Sequence, residues 1–310
     1  MIASQDPPPH SVSHIATADN LDDTWELTSP PRPGSQSQVR VWVVEGEHAC
    51  QAADSVATEE PVEIRLRAGA ERRTLAITMR TPGADFELAV GFLYGEGVMA
   101  SREQVRRISY CVDRDVDPEQ RYNIVNVDLR TDALPPLEAL DRHFYTTSAC
   151  GVCGKASLAA LHVRGCPAMS SGPTVAPELL YSLPQTLKSK QGIFKSTGGL
   201  HAAALFDSTG ELVAVREDVG RHNALDKLIG WAVMEGRVPL ADQIVLVSGR
   251  ASYELVQKCV AAGVPLMCAI SAPSSLAVGV AQEFGMTLVG FLRGERFNVY
   301  AGRERVRTAT

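Results

Sequence analysis

Apolar and polar residues alternate over three early stretches, Val39–Val44, Val62–Arg67 and Thr74–Met79, and this period of two predicts strands. Pro82-Gly83 then opens a run, 84–97, whose apolar positions recur at helical spacing and whose glycines mark its end. A short helix near 101–107 and strands near 108–112 and 122–129 complete an N-terminal α+β unit. Residues 131–155 read as a connection with little regular structure. From 201 the rhythm changes. Residues 201–207 and 211–218, joined around Ser208-Thr209-Gly210, form a predicted hairpin, and a helix follows from Arg221 to Glu235, closed by Gly236. Strands at 243–248, 265–271 and 286–293 alternate with helices at 253–263 and 274–285, and a last strand covers 296–301. Short apolar strands alternating with helices predict an α/β layer sandwich with parallel strands.

Residues 1–37, rich in Pro, Ser, Asp and Gln and without periodicity, read as a disordered tail. The expected division is therefore this tail, an α+β subdomain over 38–145 and an α/β domain over 146–310. A chain of 310 residues with 45% hydrophobic and 21% charged residues has the make-up of a globular protein of about two domains. Its formal net charge of −6 gives no sign of a general nucleic-acid binder. No apolar run approaches a membrane span, and the amino terminus shows no secretory pattern. The seven cysteines are accordingly expected to be reduced thiols of a cytoplasmic protein. Cys259 and Cys268 stand in apolar runs and read as core residues.

The densest chemistry is Ser148-Ala149-Cys150-Gly151-Val152-Cys153-Gly154-Lys155. Glycines beside the thiols allow an exposed loop, and a nearby ammonium raises the thiolate fraction. Three readings compete. Half of a structural zinc site needs two more ligands; Cys166 and His162 lie downstream, but no second Cys-x-x-Cys is present. A thioredoxin-type dithiol belongs after a strand and at a helix start, and residues 141–149 make a poor strand. A sulfur carrier would hold a persulfide on one thiol, with the second assisting release. Spacing alone does not choose among them.

Three strands also finish in polar turns: Ser248-Gly249-Arg250, Ser271-Ala272-Pro273-Ser274-Ser275 and Arg293-Gly294-Glu295-Arg296. Singly these are ordinary turns. Aligned at one sheet edge, two of them opening helices and all near arginines, they favour an anion site. No Gly-x-Gly-x-x-Gly or P-loop pattern occurs. In the run Glu217–Asn223, Asp218 reads as a helix cap, whereas His222 and Asn223 are less easily explained in a first turn. Around His201 the His-x-Glu of zinc deaminases is broken, because Ala203 stands where the proton-shuttling Glu belongs.

Taken together, MRTPGADFELAVGFLYGEG, SACGVCGK, STGGLHAAALF, REDVGRHNALDKLIG, LVSGRASYELVQKC, ISAPSSLAV and GFLRGERFNVYAG resemble the FdhD family of formate dehydrogenase accessory sulfurtransferases over about 55–302. The resemblance implies a cytidine deaminase-like three-layer sandwich without zinc, and a dimer. It implies a carrier that takes sulfur from a cysteine desulfurase and passes it to molybdenum bis(molybdopterin guanine dinucleotide) before insertion into formate dehydrogenase. Carried over onto this chain, the persulfide position is Cys150, its partner is Cys153, and the cofactor-binding segment is Phe291, Leu292, Arg293, Gly294, Glu295 and Arg296. Some members have Lys-Pro-Gly-Arg there, from which Glu295 departs. The expected enzyme class is a sulfurtransferase with no permanently bound metal; the alternatives are a thiol–disulfide oxidoreductase and a zinc-stabilised cofactor chaperone.

Overall fold

Two sheets and a layer of helices between them account for most of the chain. The computed structural model describes residues 32–137, 161, 165–169 and 171–307, with the backbone of Ala16–Thr17. In the first sheet, β4 (Glu60–Ala68) pairs antiparallel with β5 (Glu71–Arg80) and parallel with β7 (Ile124–Leu129). Strand β6 (Val105–Tyr110) runs antiparallel to β7, and the pair Ala16–Thr17, β1, lies along β6. The expected helix near 101–107 is one 3₁₀ turn, Arg102–Gln104, because Val105 already enters the ladder with β7. Most of the expected tail lies outside the described residues; regular structure is present within it, at Ala16–Thr17 along β6 and at its end from Gln36.

Strands β2 (Gln36–Glu45) and β3 (His48–Ala57) form a separate two-stranded ribbon. The alternation over Val39–Val44 predicts β2. It does not predict β3, whose Ala, Gln, Asp and Ser are weak strand formers held by full-length pairing with β2.

The second sheet has the order β13-β12-β11-β10-β8-β9. Its members are β8 (His201–Phe206), β9 (Leu212–Asp218), β10 (Ile244–Val247), β11 (Leu266–Ala269), β12 (Thr287–Arg293) and β13 (Arg296–Ala301). Strands β10, β11 and β12 are parallel, flanked by antiparallel neighbours on both sides. Period-two alternation divides the side chains between two apolar layers. Ala203, Leu205, Val245, Val247, Met267 and Ala269 face one core; Ala202, Ala204, Phe206, Ile244, Leu246, Leu266 and Cys268 face the other.

Helices cover both faces, so this half is a three-layer α/β sandwich. Between the sheets lie α1 (Asp85–Gly95), α4 (Arg221–Met234), α5 (Tyr253–Ala261) and α6 (Ser275–Glu283). On the far face, α2 (Pro177–Lys190) buries Leu180, Leu183 and Leu187, and the short α3 (Gly192–Thr197) follows. Helix α2 has no counterpart in the sequence expectations; Pro184 in its middle obscures a stripe that only the sheet stabilises.

Helix α1 is buried on most sides instead of being amphipathic, because it packs between the first sheet and α4. Its crossing with α4 depends on two glycines. A methyl group at Gly91 would fall 1.8 Å from the Asp226 carbonyl oxygen, and one at Gly230 would fall 1.8 Å from that of Glu87. Backbone meets backbone there, so no side chain can relax. The larger core is continuous across the crossing, joining Val62, Ile64, Leu88 and Val127 to Leu225, Leu228, Val245 and Met267.

Gly91→Ala and Gly230→Ala should each cost about 1–3 kcal/mol or more, since the helices must separate to admit the methyl. In urea unfolding Gly279→Ala is the control, because nothing lies within 4 Å of the added carbon. A loss at Gly91 no larger than at Gly279 would overturn the crossing.

Candidate functional site

Because β10, β11 and β12 are parallel, their carboxyl ends emerge along one edge of the second sheet. The turns stay side by side beyond the ladder. Ser271 N–H donates to the Gly249 carbonyl at 3.3 Å, Ala251 N–H to Ala272 at 3.2 Å and Phe291 N–H to Ser271 at 3.1 Å. The three polar turns named from sequence are therefore brought together. Ser252 and Ser274 head α5 and α6, and the Ser274 hydroxyl accepts from Ala277 N–H. Both helices present their amino ends to this edge, which favours negative charge there.

The third turn is shaped by a bulge between Gly290 and Arg293. A side chain at Gly290 would meet Pro273 and Tyr300 at 2.9 Å, so glycine allows the turns to close up. The next residue, Phe291, sits at φ 54, a left-handed conformation that costs a non-glycine residue roughly 1–2 kcal/mol. Strain of this kind is commonly kept where it aims a side chain. The Arg293 guanidinium lies 5.6 Å from the centre of the Phe291 ring, and Arg293 is paired across the hairpin with Arg296. Gly294, at φ 55, and Glu295 form the exposed tip between them. Of the six positions in this segment, Leu292 points elsewhere: its side chain is fully buried in the second core, leaving only its backbone for a ligand. Arg250, Arg293 and Arg296 are exposed, and none has a carboxylate partner among the described residues.

Asp218 has a different role from the cap expected of it. The residue before α4 is Gly220, and Asp218 is fully buried. Its carboxylate binds Lys227 Nζ at 2.7 Å and accepts from Thr81 N–H at 3.1 Å, Gly220 N–H at 2.8 Å and Asn223 Nδ2 at 3.2 Å. Lys227 also donates to the Thr81 carbonyl at 2.8 Å, and Asn223 to that of Met79 at 2.7 Å. The charged run Glu217–Lys227 is thus largely a clasp that grips the end of β5 from the other half of the molecule. His222 instead faces α5, with Nε2 3.1 Å from Ser252 Oγ and 3.0 Å from Glu254.

His201 opens β8 opposite Asp218. Burial lowers its pKa, and Arg221, His222 and Arg250 lower it further against the opposing Asp218. His222 and Asn223 stand out in the sequence; Arg221 does not, because its one visible signal is its place in a polar run before a helix.

Cys150 and Cys153 lie outside the described residues, as does His162. Among the described thiols, Cys259 and Cys268 are buried as expected; burial pushes Cys259 up to about 12 and raises Cys268 as well. Cys111 is buried and also raised, chiefly by burial. These three are poor nucleophiles. Cys50 is exposed on the ribbon and Cys166 is half-buried. No cluster of three or more His, Cys, Asp or Glu suited to a metal ion occurs among the described residues. No described helix is long and apolar enough to cross a membrane.

Comparison with known proteins matches residues 57–307 to the model of the FdhD/NarQ family. The sulfur carrier protein FdhD of Streptomyces coelicolor is 54% identical over 255 residues, covering 82% of this chain and 89% of that one. Its namesake in Mycobacterium tuberculosis is 48% identical over 271 residues, covering 86% and 97%. A solved Desulfotalea psychrophila structure, described as a formate dehydrogenase accessory protein, superposes with a TM-score of 0.67 at 25% identity, covering 89% of this chain and all of that one.

The matched span includes both sides of the clasp. Lys227→Met should therefore cost about 3–5 kcal/mol in urea unfolding, because it strands a buried carboxylate. Asp218→Asn combined with Lys227→Met should recover part of that loss. A single-variant loss under about 1 kcal/mol would contradict the clasp.

Proposed function

The chain belongs to the FdhD/NarQ family, and from that premise we propose that it is a sulfur carrier acting in the maturation of formate dehydrogenase in the cytoplasm. Its donor is the persulfide of a cysteine desulfurase, and its acceptor is molybdenum bis(molybdopterin guanine dinucleotide), bound as substrate. The observation that carries the reading is the alignment of more than four-fifths of the chain with sulfur carrier proteins. The site geometry supports it independently, since a phosphate-rich acceptor suits three aligned strand ends of which two carry arginines, Arg250, Arg293 and Arg296, with no carboxylate partner among the described residues.

The chemistry assigned to the thiols is a balanced relay. The Cys150 thiolate attacks the outer sulfur of the donor persulfide, breaks the donor S–S bond and releases the donor thiolate. Attack by the Cys153 thiolate on the inner sulfur then expels hydrosulfide toward the molybdenum. Two thiols become a disulfide as the sulfane sulfur becomes sulfide, and a cellular dithiol reductant must reopen the Cys150–Cys153 bond before the next cycle. The acceptor's guanine nucleotide ends are assigned to Phe291–Arg296. Arg293 and Arg296 take phosphate oxygens, the Phe291 ring offers a stacking face, and the Gly294 and Leu292 positions contribute backbone. Glu295, a carboxylate unsuited to phosphate, is left for the guanine edge. A homodimer is the proposed assembly.

Incubation with a desulfurase and cysteine should add one sulfur to the intact mass of the protein, lost on reduction. Cys150→Ala should abolish the gain, and Cys153→Ala should retain the adduct for longer. A full sulfur adduct on Cys150→Ala would overturn the assignment. GDP affinity should fall at least about tenfold in the Arg293→Ala/Arg296→Ala double variant, each arginine supplying charge-assisted hydrogen bonds. An unchanged affinity would remove the nucleotide from that hairpin.

A further inference from the structure

One group of charges at the same edge is left without a role by the assignment above. Arg221, at the start of α4, and Arg250, after β10, have no carboxylate partner among the described residues. The Arg221 Nε is sealed from solvent and has no hydrogen-bond partner among the described residues. Both guanidinium groups act electrostatically on His201. Of the nearby acids, Asp218 is held by Lys227 at 2.7 Å, and Glu254 bonds His222 at 3.0 Å while also acting electrostatically on Arg221. With Arg221, Arg250 and Lys227 set against Asp218 and Glu254, the surroundings of the half-buried histidine keep a local excess of positive charge. Gly249 contributes the space: a methyl there would stand 3.4 Å from His201 Nδ1 and 3.8 Å from Arg221 Cδ, so its bare backbone keeps open the ground between the two side chains.

We propose that Arg221, Arg250 and His201 form a second oxyanion subsite at the edge of the second sheet, which takes a phosphate or pyrophosphate group. Two strand spacings, about 10 Å, separate the ends of β10 and β12, so this subsite is distinct from the Arg293–Arg296 hairpin. It deepens the reading above, and to that extent rests on it: a ligand with two phosphate-bearing arms meets cations at both ends of one crevice. Its chemistry does not depend on the thiols. Arg221 and Arg250 supply the charge and forked donors, and His201 adds a donor when protonated.

The test is calorimetric titration of the full chain with inorganic pyrophosphate and, separately, GDP. Arg221→Gln and Arg250→Gln should each weaken pyrophosphate binding about tenfold or more, and Gly249→Val should weaken it by filling the space while leaving every charge in place. Arg293→Gln/Arg296→Gln should leave most pyrophosphate binding intact. If GDP follows the same variants, the group arrives on a nucleotide; if only pyrophosphate does, it arrives free, and either pattern supports the subsite. A bound anion should also raise the His201 pKa, read by NMR of its ring at saturating pyrophosphate. The charged groups facing that ring are Arg221, His222, Arg250 and Asp218. Unchanged pyrophosphate affinity in both Arg221→Gln and Arg250→Gln, loss confined to the Arg293/Arg296 variant, or a stationary His201 would each overturn the proposal. None of these readouts involves persulfide, so a failure of the carrier chemistry leaves this result interpretable, and the reverse.

Discussion

The contact between α1 and α4 sets the arrangement of the rest. Two glycines let the helix backbones touch, and the Asp218–Lys227 pair locks the adjoining end of β5 with bonds to Thr81 and Met79. A buried ion pair seldom adds much stability over a well-packed apolar substitute. This one has its remaining hydrogen-bonding capacity taken up by backbone and by Asn223, so its two charges are fully committed. Its consequence is positional. It holds the turn before α4, and with it Arg221 and His222, in a fixed relation to the strand ends of the second sheet. A crevice that must recognise an extended anionic ligand needs its cations held at fixed separations, and a rigid two-sheet body provides that.

The division of labour follows from where polar groups are committed and where they are free. Inside the molecule, Arg80, Asp85, Asp218, Asp226, Lys227 and Lys258 are buried and paired with one another or with backbone. At the edge, Arg221, Arg250, Arg293 and Arg296 form no ion pair within 4 Å among the described residues, and Arg221 feels Glu254 only electrostatically. A protein that keeps its buried charges matched and leaves unmatched cations along one line reserves that line for an anion. The strained Phe291 stands on the same line, and the nearby tip at Gly294 and Glu295 is exposed.

Much of the second half was legible in the sequence, and for physical reasons. Its strands are short apolar runs bounded by Gly, Ser and Pro, and its helices begin and end on recognisable residues; β13 falls on the stretch expected for it, and α4 and α5 fall close to theirs. What escaped were elements whose stability is tertiary. Strand β3 has little strand propensity of its own and forms by pairing with β2. Helix α2 carries a proline and is stabilised by the sheet under it. At the site, the aligned turns could be found because parallel strands place successive carboxyl ends together. The meaning of Asp218 could not, because its partner Thr81 lies more than a hundred residues away in sequence and a local reading sees only a helix start. Leu292 sits within a segment that resembles a binding motif, yet the bulge between Gly290 and Arg293 puts it on the same face as Val289 and turns its side chain into the second core.

In the proposed carrier cycle, sulfur leaves the thiol pair for a ligand held at the cationic edge. The most direct measurement is a single-turnover transfer. Protein preloaded with ³⁵S-sulfane sulfur and freed of donor is mixed with molybdenum bis(molybdopterin guanine dinucleotide), and the label is followed through rapid desalting and cofactor extraction. The label should leave the protein only when the cofactor is present and be recovered with the cofactor. Label that stays on the protein, or departs at the same rate without the cofactor, would contradict that cycle.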